Sequence, residues 1–349
     1  MGNNKSLGKA KDAKNDEFYT QISDIERELK HYREHFKGAT VLCNCDDPEY
    51  SNFWKYFHLN FEFFGLKKLI TTHYHETEPT YKMEYEGGND NDITVGVITP
   101  LKTNGDFRSP ECIELLKEAT IVVTNPPFSL FRDYLAQLIE YGKSFVVLSN
   151  PNALHYKEIF PLVQDNKLWL GYKSMSSDML FDVKPEFAEE LVKTKKQGSG
   201  YKIIDGVVKG RAQAIWVTNL DISKRHDLMD LVSKYSPEKY PKYENFDAIE
   251  INKVADIPVD YFGMMGVPDS FLDSYNPDQF EIIGYGRGDF LPEIDTIPVS
   301  FLEDYRNAGG KGHVTAGMKS LCFYDADHNA KFPYSRIIVR RKEVKSDEN

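Results

Sequence analysis

Alternation between apolar strand patterns and amphipathic helix patterns is the feature that most restricts how this chain folds. Short apolar runs bounded by turn residues recur through the first half of the sequence, and helical spacing follows most of them. Strands that alternate with helices pair in parallel, because each helix carries the chain back across the sheet. The sequence therefore predicts an α/β fold with a Rossmann-like, doubly wound, mostly parallel sheet. The predicted strands are 40–45, 66–72, 93–98, 120–124 and 144–149, and the predicted helices are 24–36, one from Ser51, 109–118, 130–141 and 153–160, the last ended by Pro161.

The predicted strand 120–124 ends in the tetrapeptide Asn125, Pro126, Pro127 and Phe128. The two prolines fix the backbone and have no N–H donors, so this loop is stiff and presents mainly acceptors. The Asn125 side-chain carbonyl and the Pro126 backbone carbonyl can both accept from one exocyclic amino group, and Phe128 offers a face for stacking a purine. The sequence predicts a clamp for a planar amine. The alternative is an ordinary Asn-Pro turn.

Carboxylates follow other strands of the predicted sheet. Asp46 and Asp47 come directly after the first strand, and Asp106 lies beyond the strand predicted at 93–98. Open α/β sheets bind ligands at the carboxyl ends of their strands, so we expect these residues and Asn125 to face one cofactor. The alternative roles are structural, because Asp46 or Asp47 can cap the next helix and Asp106 can complete a turn.

Composition and cysteine usage limit the class of protein. The chain has 349 residues, of which 41% are hydrophobic and 28% charged, as in globular proteins. It contains no apolar run near the roughly 20 residues that span a bilayer, and no signal-peptide pattern. We expect a cytoplasmic monomer without membrane association. Cys43-x-Cys45 and His73-x-His75 lack further ligands at metal-site spacing, so we expect no metal.

The net charge of −11 means that a nucleic-acid partner would need basic residues gathered on one surface. Two stretches are candidates, one from 193 to 211 and one in the tail from 336 to 345, and a glycine-rich loop at 284–288 adds one arginine. The alternative for each is a solvated charged surface. The candidate DNA contacts are Lys195, Lys196, Lys202, Lys209, Arg211, Arg287 and Arg340.

Three regions differ in pattern. Residues 1–14 are polar and without periodicity, which predicts a disordered leader. Residues 15–220 carry the strand–helix alternation and the candidate site, and the run at 214–219 is predicted to be the last strand of the sheet. Residues 221–349 are irregular and rich in Tyr, Pro and Gly, which predicts a loop-rich C-terminal region packed on the first domain.

Several motifs in order resemble one known family. They are Asp16-Glu17-Phe18-Tyr19-Thr20-Gln21, Cys43-Asn44-Cys45-Asp46-Asp47-Pro48 with Ser51-Asn52-Phe53, Asn125-Pro126-Pro127-Phe128, Trp216-Val217-Thr218-Asn219-Leu220-Asp221, Gly266-Val267-Pro268 and Tyr275-Asn276-Pro277. With these motifs the chain resembles the EcoRI-type adenine-specific DNA methyltransferases, a branch of the class I S-adenosylmethionine-dependent enzymes, from about residue 15 onward.

The resemblance implies methyl transfer from S-adenosylmethionine to the N6 of an adenine that is flipped out of double-stranded DNA. It implies that residues 125–128 form the catalytic loop and that the C-terminal region selects the DNA sequence. It also implies a bacterial or phage setting, in which two alternatives stay open: a cognate restriction endonuclease as a companion, or an enzyme that acts alone. The residues implied to bind the cofactor are Tyr19, Thr20, Asn44, Asp46, Asp47, Asp106 and Phe107.

Two departures from the usual class I pattern stand out. The loop after the first strand, Cys45-Asp46-Asp47-Pro48, has no glycine, and the segment 71–76 after the second strand offers no clear acidic residue for the cofactor. Two alternatives remain open. One is an enzyme of the same fold that methylates cytosine N4, an RNA adenine or a protein glutamine. The other is a nucleic-acid-binding module without activity.

Overall fold

The computed structural model describes residues 19–88, 91–183, 185–288, 290–291 and 293–343. The predicted leader 1–14 and the end of the basic tail lie outside these ranges. The chain divides into two compact units, which are described separately. The first comprises Met1–Ala153 and Leu170–Leu220, and the second comprises Leu154–Trp169 and Asp221–Asn349. In the described ranges, no helix has both the length and the apolar character needed to cross a membrane.

The regular elements of the described residues are numbered in chain order. The strands are β1 (Tyr19–Thr20), β2 (Thr40–Cys43), β3 (Lys68–His73), β4 (Tyr81–Tyr85), β5 (Val97–Pro100), β6 (Ile121–Thr124), β7 (Ser144–Ser149), β8 (Trp169–Leu170), β9 (Met179–Asp182), β10 (Tyr201–Ile204), β11 (Val207–Ala212), β12 (Ile215–Thr218), β13 (Ile249–Glu250), β14 (Met264–Pro268), β15 (Phe280–Tyr285), β16 (Phe323–Tyr324), β17 (Ala330–Lys331) and β18 (Arg336–Arg341). The α-helices are α1 (Ile22–Leu29), α2 (Arg33–Phe36), α3 (Asn52–Leu59), α4 (Phe61–Phe64), α5 (Pro110–Glu118), α6 (Phe131–Glu140), α7 (Phe160–Gln164), α8 (Pro185–Thr194) and α9 (Val299–Asn307). Short 3₁₀ turns lie at Lys30–Tyr32, Phe128–Leu130, Pro151–His155, Ser223–His226, Val254–Asp256 and Asp269–Ser274.

An eight-stranded sheet with the order β5-β4-β3-β2-β6-β7-β12-β8 forms the centre of the first unit. Its middle strands β3, β2, β6 and β7 are parallel, while β4, β5 and β12 pair antiparallel toward the edges. The prediction of a mixed α/β fold around a mostly parallel sheet is confirmed for this unit. The parallel strands β2 and β6 are buried at every position, which is why their sequences are continuous apolar runs.

The predictions were less accurate at one edge of this sheet. The strand predicted at 93–98 lies instead at Val97–Pro100, and β4 was not predicted. All four residues of β5 are exposed, so that strand has no buried face to impose an apolar pattern. The predicted last strand is confirmed as β12, although β8 lies beyond it at the sheet edge.

A second, antiparallel sheet of the first unit has the order β1-β9-β11-β10. Its strands β10 and β11 form a hairpin in which Ile204 pairs with Val207. The two turn residues have positive φ, 50° at Asp205 and 79° at Gly206, as a tight two-residue hairpin requires.

Helix boundaries follow local chemistry. Ser51, where this helix is predicted to start, caps α3 by accepting a hydrogen bond from the Phe53 N–H at 3.0 Å. The helix predicted at 153–160 is wrong, because a 3₁₀ turn comes first and α7 starts at Phe160 with Pro161 in its first turn. A proline has no N–H, and the first turn of a helix needs none, so Pro161 begins a helix here instead of ending one.

The second unit contains a four-stranded sheet with the order β13-β14-β18-β15. The glycine-rich segment predicted as a loop at 284–288 is partly strand. Its first two residues, Gly284 and Tyr285, form the end of β15 and are buried there. A buried ion pair lies in this sheet. Arg336 Nε donates to Glu250 Oε1 at 2.9 Å, and the Tyr243 hydroxyl donates to the other carboxylate oxygen. Position 266 needs a glycine, because a Cβ there would lie 2.0 Å from the Tyr243 hydroxyl oxygen and would clash with it.

We expect Arg336→Met to lower the free energy of unfolding by about 3–5 kcal/mol, because it leaves Glu250 buried without its cation. Arg340→Met is the matched control. Arg340 lies on the same strand, but its pair with Glu281 is exposed, so its loss should cost at most about 1 kcal/mol. Urea denaturation of both variants measures the difference, and equal losses would contradict the assignment of Arg336 as the stabilising cation.

Candidate active site at the ends of the parallel strands

The Asn-Pro-Pro-Phe loop leaves the sheet at the carboxyl end of β6. Thr124, the last residue of the strand, is fully buried, and Pro126 is buried as well. Asn125 and Phe128 are half-buried, and Phe128 begins a 3₁₀ turn that leads into α6. The loop therefore has a fixed base inside the sheet and two partly exposed side chains above it.

These residues line a small pocket in the first unit. Its volume is about 110 Å³, and its walls come from the loop, the end of β7 and the second sheet. The lining residues are Asn125, Pro126, Phe128, Asn150, Phe181, Ala212 and Gln213.

A buried carboxyl group joins the end of β2 to this loop. Asp46 Oδ1 accepts from the Ser51 hydroxyl at 2.9 Å. Its Oδ2 accepts from the Thr124 hydroxyl and from the Asn125 N–H, the latter at 3.3 Å. The Thr124 oxygen in turn accepts from the Cys45 N–H at 3.2 Å. Asp46 therefore positions the base of the loop and also binds the residue that caps α3.

Burial raises the pKa of Asp46 to about 7, against the opposing effect of the hydrogen bonds from Thr124, Ser51 and Asn125. Both carboxyl oxygens of Asp46, which is predicted to bind the cofactor, thus accept hydrogen bonds from other residues of the chain. Asp46 therefore positions the two loops that it joins.

Two buried polar atoms, one in β1 and one directly after β2, have no hydrogen-bond partner in the described part of the chain. They are Thr20 Oγ1 and Asn44 Nδ2. The other end of the Asn44 amide is fixed, because its Oδ1 accepts from the buried Tyr134 hydroxyl at 2.6 Å. Thr20 is held by Asn52, which donates to its carbonyl at 2.8 Å, and Tyr19 extends the same strand against Asp182. Buried polar atoms of this kind fit a site whose ligand supplies the missing partners.

Asp47 lies beside the end of the second parallel strand. Its Oδ2 is 2.9 Å from Nδ1 of His73, the last residue of β3, and the His73 ring stacks on Tyr81. No clear acidic residue was predicted after this strand. The structure places an imidazole at the strand end instead, with the Asp47 carboxylate against it.

Asp106 and Phe107 lie in the loop that precedes α5. Arg108 donates to both carboxylate oxygens of Asp106, at 2.9 and 2.8 Å, and it holds the pKa of that carboxyl below its ordinary value. Phe107 is buried, with its ring edge-on to Tyr134. Gly105 brings this loop against β3, because a Cβ there would lie 2.6 Å from the His73 carbonyl oxygen.

The predicted DNA-contacting residues differ in their surroundings. Lys195, Lys196 and Lys202 are exposed. Lys209 pairs with Asp182 at 2.5 Å, and Arg211 pairs with Asp178.

In the second unit, Arg287 is exposed and Arg340 pairs with Glu281 at 2.7 Å. Arg336, the first residue of the predicted basic tail, is buried in its ion pair and is unavailable to an outside anion.

Sequence analysis missed the residues that hold the site in place. Thr124, Tyr134 and His73 each bind a predicted site residue that is distant in the sequence, so no local pattern marks them. Arg108 is the exception, since an arginine two residues after an aspartate is a usable signal for a local ion pair. Among the described residues, no group of three or more His, Cys, Asp or Glu side chains is arranged to hold a metal ion.

Comparison with known proteins identifies the class of enzyme. Residues 6–342 match the family model described as adenine-specific methyltransferase EcoRI. This match covers nearly the whole chain and carries the loop and strand ends described above. The protein is therefore an adenine-specific DNA methyltransferase.

The individual relatives agree with this class. The chain is 46% identical to the type II methyltransferase M.EcoRI of Escherichia coli, over 98% of both chains. It is 39% identical to M.MpnI of Mycoplasma pneumoniae and 38% identical to M.MgeORF184P of Mycoplasma genitalium, in each case over 87% of this chain and 94% or 95% of the relative. No solved structure matches. The chain belongs to the EcoRI family of adenine-specific methyltransferases, of the type II restriction–modification class, and family membership implies S-adenosylmethionine as the methyl donor.

We expect Asp46→Asn to remove a pH-dependent cost from folding. Between the ordinary Asp pKa of 3.8 and the folded value of about 7, the folded protein keeps a proton that the unfolded chain has lost. The wild-type free energy of unfolding should therefore fall, relative to the variant, as the pH rises through this window, and the difference should level off above it. Urea denaturation of both proteins from pH 4 to 8 measures the difference, and a pH-independent difference would contradict the raised pKa.

Proposed function

We propose that this chain transfers a methyl group to the N6 amine of a DNA adenine held by Asn125, Pro126 and Phe128. The observation that carries the proposal is that these three residues line one pocket at the carboxyl end of β6. The proposal treats the first unit as a Rossmann-like, doubly wound catalytic domain. Family membership makes DNA adenine the substrate, which sets aside the cytosine, RNA and protein alternatives.

In this mechanism the loop acts by aligning and polarising the amine. The Asn125 side-chain carbonyl and the Pro126 carbonyl accept the two N6 hydrogens, which directs the nitrogen lone pair away from the ring. As the nitrogen attacks, its hydrogens become more positive and these acceptors bind them more strongly, so the loop favours the transition state over the bound base. Alignment of this type contributes about 7–11 kcal/mol in well-ordered systems.

The residues of β1 and those that follow β2 fit S-adenosylmethionine. When this cofactor is bound, its sulfonium supplies an electrophilic methyl group. Thr20 and Asn44 each have one buried polar atom that a ligand can satisfy. Asp47 and Asp106 would accept hydrogen bonds, and Phe107 would contribute apolar contact. Tyr19 belongs to the same short strand as Thr20, and Asp46 would act mainly through the loops it joins.

The adenine must leave the duplex to reach the pocket. Flipping costs a few kcal/mol, which stacking on Phe128 would partly offset.

For DNA binding, we propose that Lys195, Lys196, Lys202, Lys209 and Arg211 contact phosphates beside the site. Residues 221–349, with Arg287 and Arg340, would form the region that selects the DNA sequence. The type II relatives support a setting in the bacterial cytoplasm with a cognate restriction endonuclease, and we propose that the enzyme acts there as a monomer.

We expect Asn125→Ala to lower kcat by at least about 100-fold, because one of the two acceptors for the amine is lost, while DNA binding is largely kept. Asn125→Asp retains a side-chain acceptor and should retain more activity. Transfer of labelled methyl groups to duplex DNA, together with a separate binding assay, measures both effects. Wild-type activity in the alanine variant would exclude the proposed clamp.

We expect DNA affinity to fall steeply with salt despite the net charge of −11, because phosphate contacts release counterions. Lys196→Ala and Lys202→Ala should each reduce the slope of log K against log [salt] by about 1. Lys167→Ala, an exposed lysine outside the proposed surface, should leave the slope unchanged. A salt response that is flat for the wild type would show that no basic surface is used.

A further inference from the structure

The β10–β11 hairpin carries an exposed apolar tip. Ile204 is 41% exposed and Val207 is 53% exposed, and they face each other across the two-residue turn. Water-exposed aliphatic side chains are ordinary when they occur singly, but here two of them form a pair beside the turn of a hairpin. Such a pair is suited to contact a small apolar surface of a partner molecule.

One face of the hairpin combines this tip with positive charge. Lys202 pairs directly with Lys209, and successive side chains of a strand point to opposite faces. Lys202 and Ile204 therefore share a face with Val207 and Lys209. Ile203 lies on the other face and is itself 49% exposed. The hairpin thus presents two apolar side chains at its turn and two lysines further along the same face. This arrangement is complementary to a partner with an anionic backbone and an apolar interior.

The hairpin belongs to the sheet that closes the candidate pocket. Phe181 of β9 and Ala212 at the end of β11 both line that pocket. Val207 is five residues from Ala212, so the tip lies about 16 Å along the strand from the pocket wall, at about 3.3 Å per residue. The same strand thus connects the proposed base pocket to the exposed tip.

We propose that Ile204 and Val207 form an apolar wedge that enters duplex DNA next to the target adenine and stabilises the helix after the base has left. The proposal rests on the proposed function. Apolar side chains that insert between base steps unstack them and open the duplex, while Lys202 and Lys209 neutralise the flanking phosphates. To bind phosphate, Lys209 must exchange its contact with Asp182 for the DNA backbone.

The test uses the double variant Ile204→Ser/Val207→Ser in the full-length enzyme. The probe is a 30-base-pair duplex that carries a site first mapped by sequencing methylated adenines in DNA from cells expressing the protein. We expect methylation of the paired duplex to fall by about tenfold or more, because unstacking is no longer compensated. Methylation of the same duplex with an abasic position opposite the target adenine should be close to wild type.

Ile203→Ser is the matched control, because it makes an equally exposed residue of the same strand polar on the opposite face. It should behave as wild type on both duplexes. A fluorescent adenine analogue, 2-aminopurine, at the target position gives a second measurement: its signal on binding should rise with the wild type and the control, and rise much less with the double variant.

Three results of the methylation assay overturn the wedge. The double variant can match the wild type on the paired duplex, it can lose activity equally on both duplexes, or the Ile203 control can show the same loss. A shift from dimer to monomer in the double variant would assign the tip to contact with a second copy of this chain, and it would also overturn the proposal. Failure of the proposed function is distinguishable, because the wild type itself would then methylate neither duplex.

Discussion

The Asp46 carboxyl group is the interaction on which the arrangement of the site depends. It lies where β2 and β6 end side by side, and it receives hydrogen bonds from a residue of each neighbouring loop. Parallel strands bring their carboxyl ends to one edge but leave the connecting loops independent. A buried acceptor shared by Ser51, Thr124 and Asn125 fixes those loops to each other. The loop proposed to hold the amine and the loop proposed to face the cofactor are therefore both bound to this one carboxyl group.

Much of this arrangement was predictable because the central strands are buried on both faces. Burial makes β6 and β7 continuous apolar runs, and the prolines after β6 mark where the chain must leave the sheet. The exposed strand β5 was misplaced for the opposite reason, since nothing in its surroundings selects apolar residues. The helix predicted to end at Pro161 was wrong because a proline is found both just after the end of a helix and in its first turn. The sequence alone does not distinguish these two positions.

Side-chain partners were the least predictable level. The sequence marks Asp46, Asn44 and Asp106 as polar residues at strand ends, but it gives no indication that Thr124 and Tyr134, 78 and 90 residues away, bind the first two. The same holds for Arg336, whose place in a basic tail suggests a surface role. Its pairing with Glu250 in the core of the second unit depends on a strand register that only the fold establishes.

The ion pairs of Lys209 and Arg211 have a consequence for how such an enzyme would find its site. Both cations are already paired, Lys209 with Asp182 of β9 and Arg211 with Asp178 just before that strand, so a random stretch of DNA would gain little by binding them. Non-specific DNA is in large excess in a cell, and tight binding to it would slow the search for a rare sequence. Carboxylates that compete with phosphate lower that background affinity. On the proposed DNA surface, only a duplex that fits well enough to displace these carboxylates would gain the full charge of the two cations, so the acidic residues would contribute to discrimination without touching a base.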